Sequence, residues 1–448
     1  MKKRFAFCLH LLFFLNASSQ AVWSELGGNN ISTFNQFISQ ITNDKCGNLY
    51  AAGNFYNINN RKYVAKWNGV NWSELGGVNS SAFNNSIAAV CCDDSCNVYA
   101  AGRFQNGVGK FYVAKWDGNT WSELGGTNTS FFNSDILDLC VDSKGNIYAA
   151  GFFTDSNGLS YVAKWNGSTW RNLGATSSLF NYWIGTLCVD RDDNVYAGGV
   201  FTNSSGFNYI AKWDGISWSE LGGTNSSMFS GYIADICTDV YGNVYAVGGF
   251  TNYIGKWYVA KWDGIDWNEL GGTNSSYFNS NTNCVISDGI GNVYALGSFT
   301  NSAKRRFVAM WDGNSWDELG GANSTLFSFG INTLSLGIDG SLFATGNIGY
   351  SSKMFVAKYG VNTAIKNADL HPTLSYPNPV DDMLHINWGD EQNGVFIRIL
   401  GSDGSIRCGK YELKLQSETI DMSSYPSGIY FLEITSKGST LTRKVIKQ

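Results

Sequence analysis

Between residues 20 and 362 the sequence contains neither proline nor histidine. Without histidine this stretch cannot build Ser-His-Asp or Cys-His nucleophilic sites, nor a histidine-containing zinc site. All four prolines (Pro372, Pro377, Pro379, Pro426) and two of the three histidines (His371, His385) fall beyond residue 370. That shift in composition places a domain boundary near residue 374. Helical periodicity of useful length is also missing, which excludes a helical architecture. No apolar run is long enough to span a bilayer. Basic charge is short as well: 31 Lys+Arg stand against 36 Asp+Glu, a net charge of -5. This balance argues against a nucleic-acid partner, whose phosphates require a basic face.

The first residues, Met1-Lys-Lys-Arg followed by the apolar stretch Phe5 to Leu15 and the small residues Ala17-Ser18-Ser19, have the pattern of a secretory signal peptide cleaved after Ser19. The leader carries three positive charges and no acid, so its removal takes the net charge to -8, of which -7 lies on residues 20–362. Ten cysteines in an exported chain would ordinarily imply disulfides. Here Cys91, Cys140, Cys188 and Cys237 recur at one position of successive repeats, which marks small buried residues rather than bonded pairs. Cys46 and Cys96 lie in hairpin turns and are candidates for pairing, which sequence alone does not decide.

What the sequence does have is a repeat. Trp-Ser-Glu-Leu-Gly-Gly or a close variant opens at Trp23, Trp72, Trp121, Trp170, Trp218, Trp267 and Trp316, in steps of 49, 49, 49, 48, 49 and 49 residues. Such a strict period describes an array of one supersecondary unit. The third unit reads Trp121-Ser-Glu-Leu, a polar loop, Ile136 to Asp142, the turn Ser-Lys-Gly-Asn, Ile147 to Phe153, a second polar loop, and Tyr161 to Trp165. Four short runs rich in β-branched and aromatic residues, separated by Gly/Asn/Asp clusters, predict four strands per unit. Asp142-Ser-Lys-Gly-Asn146 and Asn166-Gly-Ser-Thr169 are tight hairpin turns. The other two connections are longer and rich in Asn, Ser and Thr.

Seven such units predict an all-β, seven-bladed β-propeller over residues 20–362. The last unit ends at Phe355-Val-Ala-Lys-Tyr359 without its Trp strand, so the N-terminal strand around Val22–Leu26 is expected to supply it and close the ring. The repeated tryptophans, 13 of the chain's 16, and the series Phe34, Phe83, Phe132, Phe180, Phe229, Phe278 and Phe327 are then scaffold. The pattern Asp-x-x-Gly-Asn-Val-Tyr-x-x-Gly, with Phe-Thr-Asn and Ala-Lys-Trp-Asp-Gly-x-x-Trp, resembles bacterial secreted propellers with kelch-like repeats.

Residues 374–448, reached through a linker at 363–373, read as short alternating strands with Pro and Gly turns, hence a small β-sandwich. This segment resembles the type A sorting domain of the type IX secretion system. The resemblance rests on Tyr376-Pro377-Asn378-Pro379, Asp382 with Leu384-His-Ile386, Ile397-Arg-Ile-Leu with Gly401, Ile420-Asp-Met-Ser423, Pro426-Ser-Gly428-Ile-Tyr430-Phe431, and Thr442-Arg-Lys444-Val-Ile-Lys447. It implies export through the periplasm by the type IX machinery of a Bacteroidetes-type bacterium. It also implies removal of the domain at the linker and a destination on the outer cell surface or in the medium.

No catalytic constellation emerges, and no cofactor or metal site is expected. The Asp117-Gly-Asn-Thr-Trp121 hairpin resembles the Asp-box of sialidases, one residue short, but the few arginines of the array occupy unrelated unit positions. Asp138 and Asp235 share one position of the innermost strands, where solvated or turn-capping roles are expected. The two long connections of each unit emerge on one face, giving a rim of Asn, Ser, Thr and aromatics suited to polar recognition and saccharide stacking. Residues common to all units are scaffold, so the unit-specific Tyr182, Trp183, Tyr232, Trp257 and Tyr277, with the basic run Lys304-Arg305-Arg306, are the candidate ligand-binding residues. The expectation is a monomeric, non-catalytic module binding a glycan or an extracellular protein. The alternatives are a glycosidase or lyase using the paired carboxylates, and a purely structural surface protein.

Overall fold

The computed structural model describes residues 21–26, 34–69, 71–77, 83–128, 130–174, 180–223, 229–272, 278–288, 291–320, 327, 330–337, 340–347, 354–361, 374–376, 380–387, 395–401, 406–413, 417–436 and 439–448. The signal-peptide residues, the linker, Tyr277 and Pro377–Pro379 lie outside them. The chain divides into two units, Met1–Val361 and Asn362–Gln448.

The first unit is the expected propeller: seven four-stranded antiparallel sheets, each in sequential strand order. The innermost strands of blades 1 to 7 are Ile38–Asn43, Ile87–Cys92, Ile136–Val141, Ile184–Val189, Ile233–Thr238, Thr282–Ser287 and Gly330–Leu336. In blade 3 the remaining strands are Ile147–Gly151, Ala163–Trp165 and Trp170–Asn172. The seventh blade takes its outer strand from the other end of the chain. Ala21–Glu25 pairs antiparallel with Met354–Val361, placing Trp23 opposite Tyr359.

Aromatic packing shows that this latch is a full member of the array. Each Phe of the repeated series meets the outer-strand Trp of its blade edge-on: Phe34 with Trp72 at 5.2 Å, Phe132 with Trp170 at 5.1 Å, and Phe327 with Trp23 at 5.2 Å. All seven Phe residues are buried. Such pairs contribute about 0.5–1.5 kcal/mol beyond area burial. The indole N–H of the outer strand then donates to the Leu carbonyl of the preceding blade, as from Trp218 to Leu173 (2.9 Å), Trp316 to Leu270 (3.3 Å) and Trp23 to Leu319 (3.2 Å).

Close backbone approach explains the glycine that ends the second strand. A Cβ on Gly151 would lie 2.1 Å from the Asp135 carbonyl oxygen, and one on Gly248 would lie 2.0 Å from that of Tyr232. Beside this contact the inner strand pair bulges, between Ile136 and Asp138 in blade 3 and between Ile233 and Asp235 in blade 5. The bulge re-aims the side chain that follows it.

Structural contacts dominate the face formed by the hairpin turns. Asp142 accepts from the amides of Lys144 and Asn146, from the Asn146 side chain and from the Tyr148 hydroxyl. Asp44, Asp93, Asp190 and Asp239 likewise take a Tyr hydroxyl. Blades 1 and 2 are joined there by the Cys46–Cys96 disulfide and a Lys45–Asp94 ion pair. Blades 3 and 4 are joined by Lys144 and Ser143 to Asp193.

The C-terminal unit is a β-sandwich. A three-stranded sheet (Leu374–Tyr376, Met383–Asn387, Ser417–Asp421) and a four-stranded sheet (Val395–Gly401, Ile406–Leu413, Gly428–Ser436, Ser439–Lys447) bury Leu384, Ile386 and Ile420 against Ile399, Leu432 and Val445.

Candidate functional site

The two faces of the propeller differ in what they leave open to solvent. Among the described residues fourteen large apolar side chains of the propeller are exposed. Eleven of these lie on the long connections: Phe37, Tyr56, Ile58, Val108, Phe131, Phe152, Tyr182, Phe207, Tyr232, Tyr253 and Ile254. Only Ile216, Tyr241 and Ile265 lie on the turns. Exposed apolar side chains concentrated on one face mark an interaction surface, whereas scattered ones are ordinary.

The innermost part of this face is built from one pair of unit positions. The residue after the glycine of one blade faces the residue before the innermost strand of the next. Between blades 2 and 3 the pair is Arg103 and Asp135, ion-paired at 2.9 Å. Between blades 3 and 4 it is Phe152 and Trp183, with ring centroids 5.2 Å apart at 53°. Trp183 also lies against Gly185, where an added Cβ would meet its ring at 2.8 Å. Tyr182 beside it is 58% exposed. In blade 5 the ring of Tyr232 covers Gly249, leaving no room for a Cβ there (2.5 Å). Side-chain loss at Gly249 thus makes the seat for Tyr232.

Tyr182, Trp183 and Tyr232 therefore lie at the inner ends of neighbouring blades. Trp257 does not join them. It pairs with Thr251 and Phe278 at a position that other blades use to hold their loop anchor, as Lys62 holds Phe83, and it packs against the core of blades 5 and 6. Lys304 sits at φ 60° in the turn of its loop, and Arg306 bridges back to Thr300. Sequence reading missed Phe37, Phe131, Phe152 and Phe207. Phe152 had a signal, since its unit position carries Asn54, Arg103, Val200, Gly249 and Ser298 elsewhere.

Asp138 and Asp235 play a different part from the one expected of them. Neither caps a turn nor stands free in solvent. Each reaches across to the next blade's innermost strand: Asp138 accepts from the Leu187 amide at 2.7 Å and Asp235 from the Val285 amide at 2.9 Å. Each also accepts from the amide that follows it. Gln40 does the same for Val90 at 2.7 Å. These side chains satisfy amides that the bulged inner edge would otherwise leave unpaired. Burial pushes the Asp138 carboxyl up to about 7, opposed by the Leu187 amide and helped by the Asp235 charge. Burial likewise pushes Asp235 up to about 6. On the same strands Cys91, Cys140, Cys188 and Cys237 are free thiols. Burial holds Cys140, Cys188 and Cys237 well above the ordinary thiol range.

A cavity of about 340 Å³ at the turn end is lined by Asp44, Asp93, Asp94 and Asp142 among others. Asp44, Asp93 and Asp142 are already held by the Asn and Tyr partners of their turns. The one cluster among the described residues with metal-ligand spacing, Asp44 with Cys46 and Cys96, contains the disulfide.

In the sandwich, the hydroxyl of Tyr430 donates to the Pro426 carbonyl at 2.8 Å, and Gly428 pairs with Lys447. Lys447 is buried and its ammonium lies 4.0 Å from Asp382. The last residues also bracket Val380, whose amide donates to Ile446 and whose carbonyl accepts from Gln448. Lys444 stands in the last strand opposite Phe431. Tyr376 pairs with His385.

Residues 375–448 match the secretion system C-terminal sorting domain. With that domain the chain is marked for type IX export to the cell surface or the medium. No helix of the described residues is long and apolar enough to cross a membrane. Among curated proteins no relative matches. Among the solved structures that resemble the chain are two extracellular domains of hybrid two-component systems of B. thetaiotaomicron. The domain of BT3049 aligns with 95% of this chain and 57% of its own length, at TM-score 0.51 and 11% identity. That of BT4673 aligns with 96% and 59%, at TM-score 0.52 and 13% identity. The chain thus spans less than two thirds of either domain, and the likeness is one of fold. An ulvan lyase of polysaccharide lyase family PL25 aligns with 75% of this chain and 96% of its own, at TM-score 0.45 and 12% identity, too distant to bear on chemistry. All-β blades, the closing strand and export are what these findings share with the sequence reading.

Proposed function

We propose that the protein is a non-catalytic, exported recognition module, a monomeric propeller of kelch-like units that binds a glycan or an extracellular protein through its long-connection face. One observation carries this reading: eleven of the fourteen exposed large apolar side chains stand on that face. The Phe152–Trp183 pair, with Tyr182 and Tyr232 alongside, offers tilted aromatic surfaces on a rigid base, the arrangement that stacks on sugar rings and anchors protein interfaces. The opposite face is occupied by its own staples, which supports the assignment of recognition to the long connections. Asp138 and Asp235 each hold two backbone amides, an engagement that suits a structural role better than shuttling protons to a substrate.

The test is a screen of the exported protein against glycan and extracellular-protein arrays, repeated with Tyr182→Ala/Trp183→Ala. Binding that the double variant loses is the expected result. Polysaccharide turnover abolished in Asp138→Gln would overturn the non-catalytic reading, and failure to bind any glycan or protein would favour a structural role.

A further inference from the structure

The net charge of the propeller conceals a separation of charge between its faces. Among the described residues the hairpin turns carry fourteen Asp and only Lys45, Lys144 and Arg191. The described residues of the long connections carry eight Lys or Arg against two acids, Asp135 and Asp155. Lys45 and Lys144 of the turn face are spent in ion pairs. On the long connections only Arg103 is so engaged, with Asp135. Arg61, Lys110, Lys256 and Lys304 are exposed and make no ion pair among the described residues. The outer strands carry the carboxylates of Glu74, Glu123, Glu220, Glu269 and Glu318. These are half-buried beneath the loops and held by Asn57, Asn106, Asn203, Asn252 and Asn301.

Among the described residues the cations of the long connections are also sorted around the ring. Blade 1 brings Arg61 and Lys62, blade 2 Arg103 and Lys110, blade 5 Lys256, and blade 6 the run Lys304 to Arg306. Blades 3 and 4 bring none to this face. They bring instead Phe131, Phe152, Tyr182, Trp183 and Phe207. An aromatic sector is thus flanked by basic sectors.

We infer that the ligand of this face is an acidic polysaccharide, a chain of sugar rings bearing carboxylate or sulfate groups. This deepens the reading above and rests on it. Sugar C–H faces stack on the aromatic sector, while the anionic substituents meet guanidinium and ammonium groups on either side. The cations are separated by blades, which fits a spaced, moderate charge rather than the dense phosphates of a nucleic acid. Long-range attraction to a polyanion also requires that affinity fall with salt.

The experiment measures binding of the full exported chain to four probes: alginate (uronate carboxylates), dextran sulfate (sulfates), laminarin (a neutral glucan) and a deoxythymidine oligomer. Alginate or dextran sulfate should bind best, and the stronger of the two identifies the anionic group. Affinity should drop about fivefold or more between roughly 50 and 300 mM salt. Lys304→Asn/Arg305→Gln/Arg306→Gln should weaken binding about fivefold or more, Asn being chosen for the positive φ of residue 304. Arg61→Gln/Lys110→Gln should do the same from the other basic sector, and Asp214→Asn/Asp263→Asn on the turn face should not. Laminarin bound as tightly, insensitive to salt and lost in Trp183→Ala, would overturn the acidic ligand and leave the recognition face standing. The thymidine oligomer binding more tightly than any glycan would replace the ligand class. No binding to any probe, in a chain that also fails the wider arrays, would sink both proposals.

Discussion

Replacing the inter-blade carboxylates with glutamine should remove a pH dependence that the fold builds into itself. Burial raises Asp138 from 3.8 to about 7 and Asp235 from 3.8 to about 6. A carboxyl raised on folding binds its proton more tightly in the folded chain than in the unfolded one. Its stabilising contribution is therefore complete below about pH 4 and is lost as pH climbs through 6 to 7. At ~1.4 kcal/mol per unit the Asp138 shift corresponds to at most about 4 kcal/mol. Asp138 is only half-buried, so solvent screening lowers this to about 2 kcal/mol. Because the propeller has no histidine between residues 20 and 362, little else in it titrates between pH 5 and 8. Glutamine is the informative substitution, since Gln40 already makes the equivalent bond in blade 1. Thermal melts followed by tryptophan fluorescence should show the native chain losing several degrees of Tm between pH 5 and 8. Asp138→Gln/Asp235→Gln should flatten that slope and match or exceed the native Tm at pH 8. Asp138→Ala should flatten the slope as well but lie about 1–3 kcal/mol below Asp138→Gln, because the Leu187 amide is left without an acceptor. A native chain equally stable at both pH values, or an unchanged slope in the double variant, would show that these carboxyls do not set the pH dependence.

Trp23→Ala should cost about 3–5 kcal/mol by removing the ring that meets Phe327 and Tyr359 and the donor to Leu319; limited proteolysis should then cut first in blade 7. Reduction of Cys46–Cys96, separated by 50 residues, should lower stability by up to about 4 kcal/mol, read from denaturant midpoints with and without reductant. Cys140, Cys188 and Cys237 should resist alkylation near pH 8 in the folded chain and label together once it unfolds, as mass spectrometry would show, because burial suppresses their thiolates.

The fold was legible because its grammar is local and repeated. Short alternating runs, the Asp-x-x-Gly-Asn turn and a 49-residue step fix each blade, and the missing last strand after Tyr359 points to Trp23 as its replacement. The candidate site was legible only in part. Tyr182, Trp183 and Tyr232 stood out as departures from the repeat and do cluster at the inner ends of blades 4 and 5. Trp257 departs from the repeat as well, yet its position is structural and the residue is half-buried. Phe152 escaped notice because the adjoining Phe153 is buried while Phe152 is exposed, a distinction that depends on how the chain leaves the strand. The roles of Asp138 and Asp235 were hidden for another reason. Their partners, Leu187 and Val285, are about a full repeat away in sequence, so no local motif records the bond.

The claim that recognition belongs to the long-connection face is tested most directly by two sets of variants assayed on the same ligand arrays. One set carries Tyr182→Ala/Trp183→Ala/Tyr232→Ala, and the other carries Ile216→Ser/Tyr241→Ser/Ile265→Ser, which removes the exposed apolar side chains of the turn face. The first set should lose binding while the second keeps it, with both retaining the native melting profile. Binding kept by the first set and lost by the second would contradict that claim.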